Sequence, residues 1–195
     1  MLEIEGAGDL LLMVGKGQLA AAASAETAES SNAALVEAAK NGDREAFGEL
    51  YRLYAPMVHG LLLARVPYDE VSDLVQDVFL AAFRKLATLR DGASFGPWLA
   101  MIARNRAMDF HRRARETDEL SEEFAQTNAP GTKAAEVLES LRSLPEAYRE
   151  TLVLRLVEGM TGPEIAARTG LQPDSVRVNL HRGMKLLREK LGVRK

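Results

Sequence analysis

The chain has 195 residues, 47% of them hydrophobic, with no cysteine and a formal net charge of -3. That length holds one domain or two small ones, and the missing cysteines exclude a disulfide framework, a thiolate metal site and a thiol nucleophile. Leu10–Val14 is too short to span a bilayer and follows Glu3, Glu5 and Asp9, where a signal peptide carries positive charge, so neither signal nor membrane insertion is expected and a cytoplasmic location fits.

Residues 1–31 carry five acids and one base, end in an Ala/Ser/Glu-rich run, and are expected to be a mobile arm. Ser31 is a candidate cap for a first helix. From Asp43, a plausible N-cap, the spacing of Ala46, Phe47, Leu50, Leu53, Tyr54, Val58 and Leu61 predicts a helix with Pro56 inside it. Pro67 breaks the chain, and Asp69 opens a second long helix. Its apolar face is broad: Val71, Leu74, Val75, Val78, Phe79, Ala82, Phe83 and Leu86. Asp91-Gly92 marks a loop, and Ser94 caps a third helix with Pro97 in its first turn. That helix starts apolar, with Phe95, Trp98, Leu99 and Ile102, and turns basic through Arg104, Arg106, Arg112, Arg113 and Arg115.

Residues 116–133 are acidic and hold Asn128-Ala129-Pro130-Gly131 without a lasting period, which predicts a flexible interdomain linker. A helix from about Ala134 to Ser143 follows, then a second from Pro145 to Glu158. Next comes a short helix, Gly162–Thr169, a Gly170 turn and one long basic helix: the order of a helix-turn-helix DNA reader. Val176, Leu180, Met184, Leu187 and Leu191 make its apolar stripe. Between Ser175 and Lys195 stand seven basic residues against one acid, Glu189, so positive charge is local in an acidic chain. No segment alternates with a strand period, so the fold class is all-α, with two small helical domains spanning 32–115 and 134–195.

Three constellations carry chemistry. In a helix-turn-helix the second helix enters the major groove by its first turns, so the outward Asp174, Ser175, Arg177, Val178, His181 and Arg182 would meet base edges and phosphates. Arg104, Asn105, Asp109, Arg112 and Arg113 follow the aromatic pair Phe95 and Trp98, a pattern that suits single-stranded DNA. Trp98 also stands at core spacing with Ile102, which gives it a packing role instead. Asp73, Gln76, Asp77, Leu80 and Arg84 form a mixed polar strip that is either solvated surface or a seat for a basic partner helix. For catalysis there is little: His59, His111 and His181 lack metal-ligand spacing, no Gly-rich phosphate loop or nucleophile elbow occurs, and Glu122-Glu123 lies in the linker. No enzyme, metal or cofactor is indicated.

Together these pieces resemble the extracytoplasmic-function (ECF) group of sigma factors, small two-domain members of the sigma-70 family, over nearly the whole chain after about residue 33. Asn41–Phe47 with Leu50-Tyr51 resembles the start of region 2, and Asp73–Leu80 the helix that binds the polymerase clamp. Phe95–Leu99 with Ile102–Asn105, Asp109 and Arg112 resembles the promoter-melting, minus-10-reading segment. Region 4 is echoed by Leu144-Pro145, Arg149, Leu152–Leu156, Glu158-Gly159, Glu164–Ala166 and Val176–Leu191.

The resemblance implies that Asp73, Gln76, Asp77 and Leu80 bind the clamp of the beta-prime subunit of core RNA polymerase. It implies that Arg104, Asn105, Asp109, Arg112 and Arg113, with the 86–94 loop, hold the melted minus-10 strand. Ser175, Arg177, Val178, His181, Arg182 and Lys185 would read minus-35 duplex. Promoter DNA, core polymerase and an anti-sigma factor are the implied partners, and the acidic linker would thread the polymerase near the RNA path. The chain departs from the family at Gln172-Pro173-Asp174, where Asp174 would oppose phosphate unless it caps the helix; the family usually begins close to residue 33, which leaves the acidic arm before it as either a start-site artefact or a regulatory contact. Two rivals remain: a dimeric helix-turn-helix regulator, which has no need of the Asp73-Gln76-Asp77 strip, and a decoy that only sequesters an anti-sigma factor, which could dispense with the cationic face.

Overall fold

The computed structural model describes residues 32–118 and 133–192. The expected arm, the Ser31 cap, residues 119–132 of the linker, and Arg194 and Lys195 lie outside the described residues. Eight α-helices are described: α1 (32–40), α2 (Arg44–Leu63), α3 (Tyr68–Lys85), α4 (Phe95–Asp118), α5 (Lys133–Arg142), α6 (Glu146–Leu156), α7 (Gly162–Thr169) and α8 (Pro173–Lys190). Two short 3-10 turns, Leu86–Thr88 and Gly92–Ser94, join α3 to α4, and no strand occurs among the described residues.

Local chemistry sets the helix ends. Asp43 caps α2, accepting from the backbone N–H of Glu45 at 2.9 Å and of Ala46 at 3.1 Å. α3 begins one residue before the expected Asp69, because Pro67 supplies the fixed φ; Asp69 and Glu70 sit in the first turn and Arg84 and Lys85 in the last, each favoured by the helix dipole. Ser94 does not cap α4. Asp91 caps the 3-10 turn before it, accepting from Ala93 N–H at 3.0 Å and from Ser94 Oγ at 2.8 Å. α6 stops two residues short of Glu158, because Gly159 takes a left-handed conformation (φ 69°) and Met160 N–H returns to Leu154 O at 3.0 Å. A capping box starts α7, with Thr161 and Glu164 bonding each other's backbone N–H, and Gly170 ends it in the left-handed region (φ 75°). Pro173 then opens α8 at its first position.

α2, α3 and α4 pack together as one bundle around Leu50, Met57, Leu61, Phe95 and Leu99; α5, α6, α7 and α8 form the second around Leu141, Leu152, Leu154, Ile165 and Val176. The two bundles are docked, so the buried residues make one continuous core. α2 lies against α6, and α4 against α7. Glycines permit this approach. A Cβ on Gly60 would fall 2.8 Å from Leu154 Cδ2 and from Glu158 Cγ, and one on Gly96 would fall 2.9 Å from the backbone oxygen of Arg168. Leu191, assigned to the apolar stripe of α8, is 38% exposed, since the chain ends its helix at Lys190. Phe83, on the expected apolar face of α3, is half exposed and meets Phe47 edge-on at 5.0 Å.

α8 is positioned on α6 at Gly183, where a Cβ would stand 2.9 Å from Leu152 Cδ1 and 3.0 Å from Tyr148 Cβ. Gly183→Ala therefore gains helix propensity but overpacks a close contact, and should lower the urea midpoint, a net loss of about 1 kcal/mol of stability. A midpoint equal to or above that of the parent chain would contradict this packing.

Candidate nucleic-acid and polymerase interface

The long basic helix α8 turns Val176, Gly183 and Leu187 inward, with Leu180 and Met184 half-buried. The other face then points outward by the helical period. Ser175, Arg177, Val178, His181, Arg182 and Lys185 are all exposed there. Gln172 is the N-cap residue and makes no side-chain bond, so Asp174 is not the cap. It sits in the first turn, exposed, with its Oδ1 3.3 Å from Arg177 Nη2, so the acid partly screens the arginine nearest the helix start.

On α3, Asp73, Gln76, Asp77 and Leu80 are all exposed, and their three- and four-residue spacing places them on one face. Leu80 is 53% exposed, an apolar side chain among acids and an amide. Gln76 also lines a groove with Tyr51, Pro56, His59, Val75 and Glu158, so the strip borders the junction between the two bundles.

α4 divides the melted-strand candidates. Asn105, Arg112 and Arg113 are exposed; Asp109 is half-buried and pairs with Arg112 at 3.0 Å. The aromatic pair does not form an open stacking platform: Phe95 is fully buried and Trp98 packs on it at 5.8 Å, half-buried against the core. Met101 and Met108 instead project, 50% and 68% exposed. Arg104 is drawn into the junction rather than held out.

That junction is polar in a way the sequence did not announce. Glu150, in the middle of α6, is 5% exposed. Its Oε1 accepts from Arg104 Nη2 at 2.5 Å, and its Oε2 from Arg65 Nη2 at 2.5 Å and Arg104 Nε at 3.3 Å. Burial alone would push the Glu150 carboxyl up, but the bonds and charges of Arg104 and Arg65 outweigh it and hold the group below the usual carboxylate range. Arg65 also reaches Glu146 at 2.7 Å. His59 Nδ1 meets Glu158 Oε1 at 2.6 Å, a bond that raises the imidazole above its ordinary value despite partial burial. Arg142 donates to the carbonyls of Val66 at 2.7 Å and Leu63 at 3.3 Å, serving the end of α2. Arg168 donates to Leu53 O at 2.9 Å, its guanidinium 5.7 Å from the Tyr54 ring centre. None of these partners is near in sequence. The one local signal is Glu150 itself, a carboxylate set against Leu152, Val153 and Leu154 in a short helix.

A two-bundle helical protein with a helix-turn-helix in one half, and an arginine-rich helix and an exposed acidic strip in the other, is built as a DNA-reading transcription factor. Comparison with known proteins gives the particular family. Residues 50–117 match the model of sigma-70 region 2, and residues 134–187 that of sigma-70 region 4. The RNA polymerase sigma factor CarQ of Myxococcus xanthus is 34% identical over 167 residues, which cover 80% of this chain and 95% of CarQ. The ECF RNA polymerase sigma factor SigD of Mycobacterium tuberculosis is 34% identical over 175 residues, 81% of this chain and 82% of SigD. Among solved structures, CnrH in complex with the cytosolic domain of CnrY superposes with a TM-score of 0.60 at 28% identity, covering 84% of this chain and 99% of CnrH. The chain belongs to the ECF group of the sigma-70 family: it is a transcription initiation factor, which binds RNA polymerase and directs it to promoters, and not an enzyme.

Among the described residues no cluster of His, Asp and Glu could hold a metal ion, and no helix is long and apolar enough to cross a membrane. The junction carries a pH signature. Because the folded value of His59 is raised, its contribution is complete below the ordinary value of 6.5 and is lost as pH climbs through the raised value. Glu150 behaves oppositely: its contribution is present above the ordinary 4.5 and is lost as pH falls through the lowered folded value. Urea midpoints taken at about pH 6 and about pH 8.5 should show the parent chain losing more stability at the alkaline end than His59→Gln does. Parallel pH profiles for the two would remove the His59–Glu158 bond from the account.

Proposed function

We propose that the chain carries its sigma function through three surfaces: Asp73, Gln76, Asp77 and Leu80 bind the clamp of the beta-prime subunit; Arg104, Asn105, Asp109, Arg112 and Arg113 hold the melted minus-10 strand; and Ser175, Arg177, Val178, His181, Arg182 and Lys185 read minus-35 duplex. The observation that carries this reading is the exposure of the whole α8 set on one face of a helix whose opposite face is seated on α6. Arg177 and Arg182 supply forks that match guanine acceptors, while Ser175 and the helix N-terminus suit a phosphate. The exposed Met101 and Met108 offer unstacked bases an apolar surface that buried Phe95 does not. On α3 the acids give a basic partner its charge complement, and Leu80 gives it something to bury.

The domain plan behind the reading is region 2 over 32–115, a linker over 116–133 and region 4 over 134–195, with an arm before it. The docked form cannot be the initiating form. The two promoter elements lie about 25 base pairs apart, on the order of 85 Å of duplex, whereas a compact body of about 150 residues has a radius of gyration of only about 15 Å. Region 4 must leave region 2 for both elements to be read at once. An anti-sigma factor is a fitting regulator: the sigma factor RpoE of Bartonella quintana, similar in fold, was captured with the anti-sigma factor NepR. The protein's working place on this reading is the cytoplasm, beside the polymerase.

Run-off transcription with purified core polymerase and genomic fragments should yield discrete products only when this chain is added. Tight, specific duplex binding by the chain alone, indifferent to core enzyme, would favour a conventional regulator instead. Arg177→Ala should cut initiation at a minus-35-dependent promoter by about 1–3 kcal/mol of discrimination; unaltered promoter preference would remove Arg177 from base reading. Reversing charge with Asp77→Lys should weaken holoenzyme assembly in a titration against core, and an unchanged affinity would move the clamp contact off α3.

A further inference from the structure

Two arginines of region 2 converge on one pair of oxygens. Arg65 comes from the turn after α2 and Arg104 from the middle of α4, and each places an Nη2 at 2.5 Å from a different oxygen of Glu150. Among the described residues, every carboxylate within ion-pair distance of either arginine is carried by α6 of region 4: Glu150 for both, and Glu146 for Arg65. Once region 4 has moved away, region 2 therefore keeps two adjacent guanidinium groups and loses their counter-charge.

A carboxylate and a phosphodiester present the same pattern to a guanidinium fork, two oxygens sharing one negative charge. The arginine pair also lies where a nucleic-acid strand would run. Arg104, Met108, His111 and Arg112 recur at the spacing of one α4 face, and His111 Nε2 stands 2.8 Å from the backbone oxygen of Arg65, which ties Arg65 to the basic end of that face.

We propose that Arg65 and Arg104 form a phosphodiester site for the melted minus-10 strand, and that Glu150 fills this site in the docked chain in place of phosphate. The inference rests on the sigma reading above. It adds Arg65 to the DNA-binding residues and makes docking and strand binding mutually exclusive, because one arginine pair serves both.

The test uses holoenzyme assembled from the full chain and core polymerase, with a fluorescent forked probe whose minus-10 strand is unpaired. Arg65→Ala should weaken probe binding about 5- to 10-fold and reduce the salt slope by about 0.7, the value for one single-strand phosphate, while Arg65→Lys recovers part of the affinity. In the free chain, Glu150→Gln should raise affinity for the minus-10 oligonucleotide several-fold, and the exposed Glu146→Gln should not; urea midpoints confirm that each variant folds. If the parent holoenzyme binds the probe but Arg65→Ala matches it in affinity and salt slope, the phosphate site is overturned and the sigma reading stands. If Glu150→Gln gains nothing in the free chain, the stand-in role is overturned. A parent holoenzyme that does not retain the probe defeats the sigma reading itself.

Discussion

A single buried carboxylate, Glu150, holds the two halves of the molecule in register. Removing an ion from water costs several kcal/mol, and the attraction of its partners roughly offsets that cost only when the geometry is good and the lone pairs are filled. Here three bonds from two arginines fill them. Such an arrangement fixes where α6 meets α2, and through the Arg104 side chain its place relative to α4, far more than it strengthens the contact. Around it the junction is bonded through arginines donating to backbone carbonyls, Arg142 at the end of α2 and Arg168 in its middle, and through one imidazole–carboxylate pair. A junction of this kind ties one docked geometry to a few polar bonds set around a shared apolar core.

Geometry and function conflict in the docked state. The two helices proposed to face DNA, α4 and α8, belong to one compact body, yet the two promoter elements are separated by far more than that body can span. The surfaces differ in how docking treats them. The α8 face and the α3 strip are exposed throughout, whereas Arg104 is engaged by Glu150. On the proposed assignment, docking leaves the duplex-reading face and the polymerase strip accessible and withholds part of the surface for melted DNA. Gly60 and Gly96 mark close approaches across the junction, where a Cβ would meet Leu154 and Glu158 or the backbone of Arg168 below 3.0 Å.

Much of this was legible in the sequence because amphipathic periodicity is local. The stripes of α2, α3 and α8, the Gly170 turn and the all-helical class all follow from spacing and turn chemistry that act within a few residues. Helix ends were less legible: Pro67 rather than Asp69 starts α3, Asp91 rather than Ser94 organises the entry to α4, and Gly159 cuts α6 short, each a competition between neighbouring residues that pattern alone does not decide. Phe95 looked like a platform for bases because aromatic composition carries no direction; its ring is wholly buried. The junction was not legible at all. Arg65 and Glu150 are 85 residues apart, and His59 and Glu158 are 99 apart. No local pattern links such pairs, although an acid set among the apolar residues of α6 was a sign that it needed a partner from elsewhere.

The chain is expected to alternate between a docked form and an opened form that spans a promoter. Because the natural sequence has no cysteine, Arg44→Cys in α2 and Glu189→Cys in α8, both at exposed positions, give a clean pair for distance measurement by spin or fluorescent labels. One distance distribution, within the span of the compact body, is expected in the free chain, with a shift to longer values by tens of ångströms on adding core polymerase and promoter DNA. An unchanged distance in a complex that initiates transcription would contradict it.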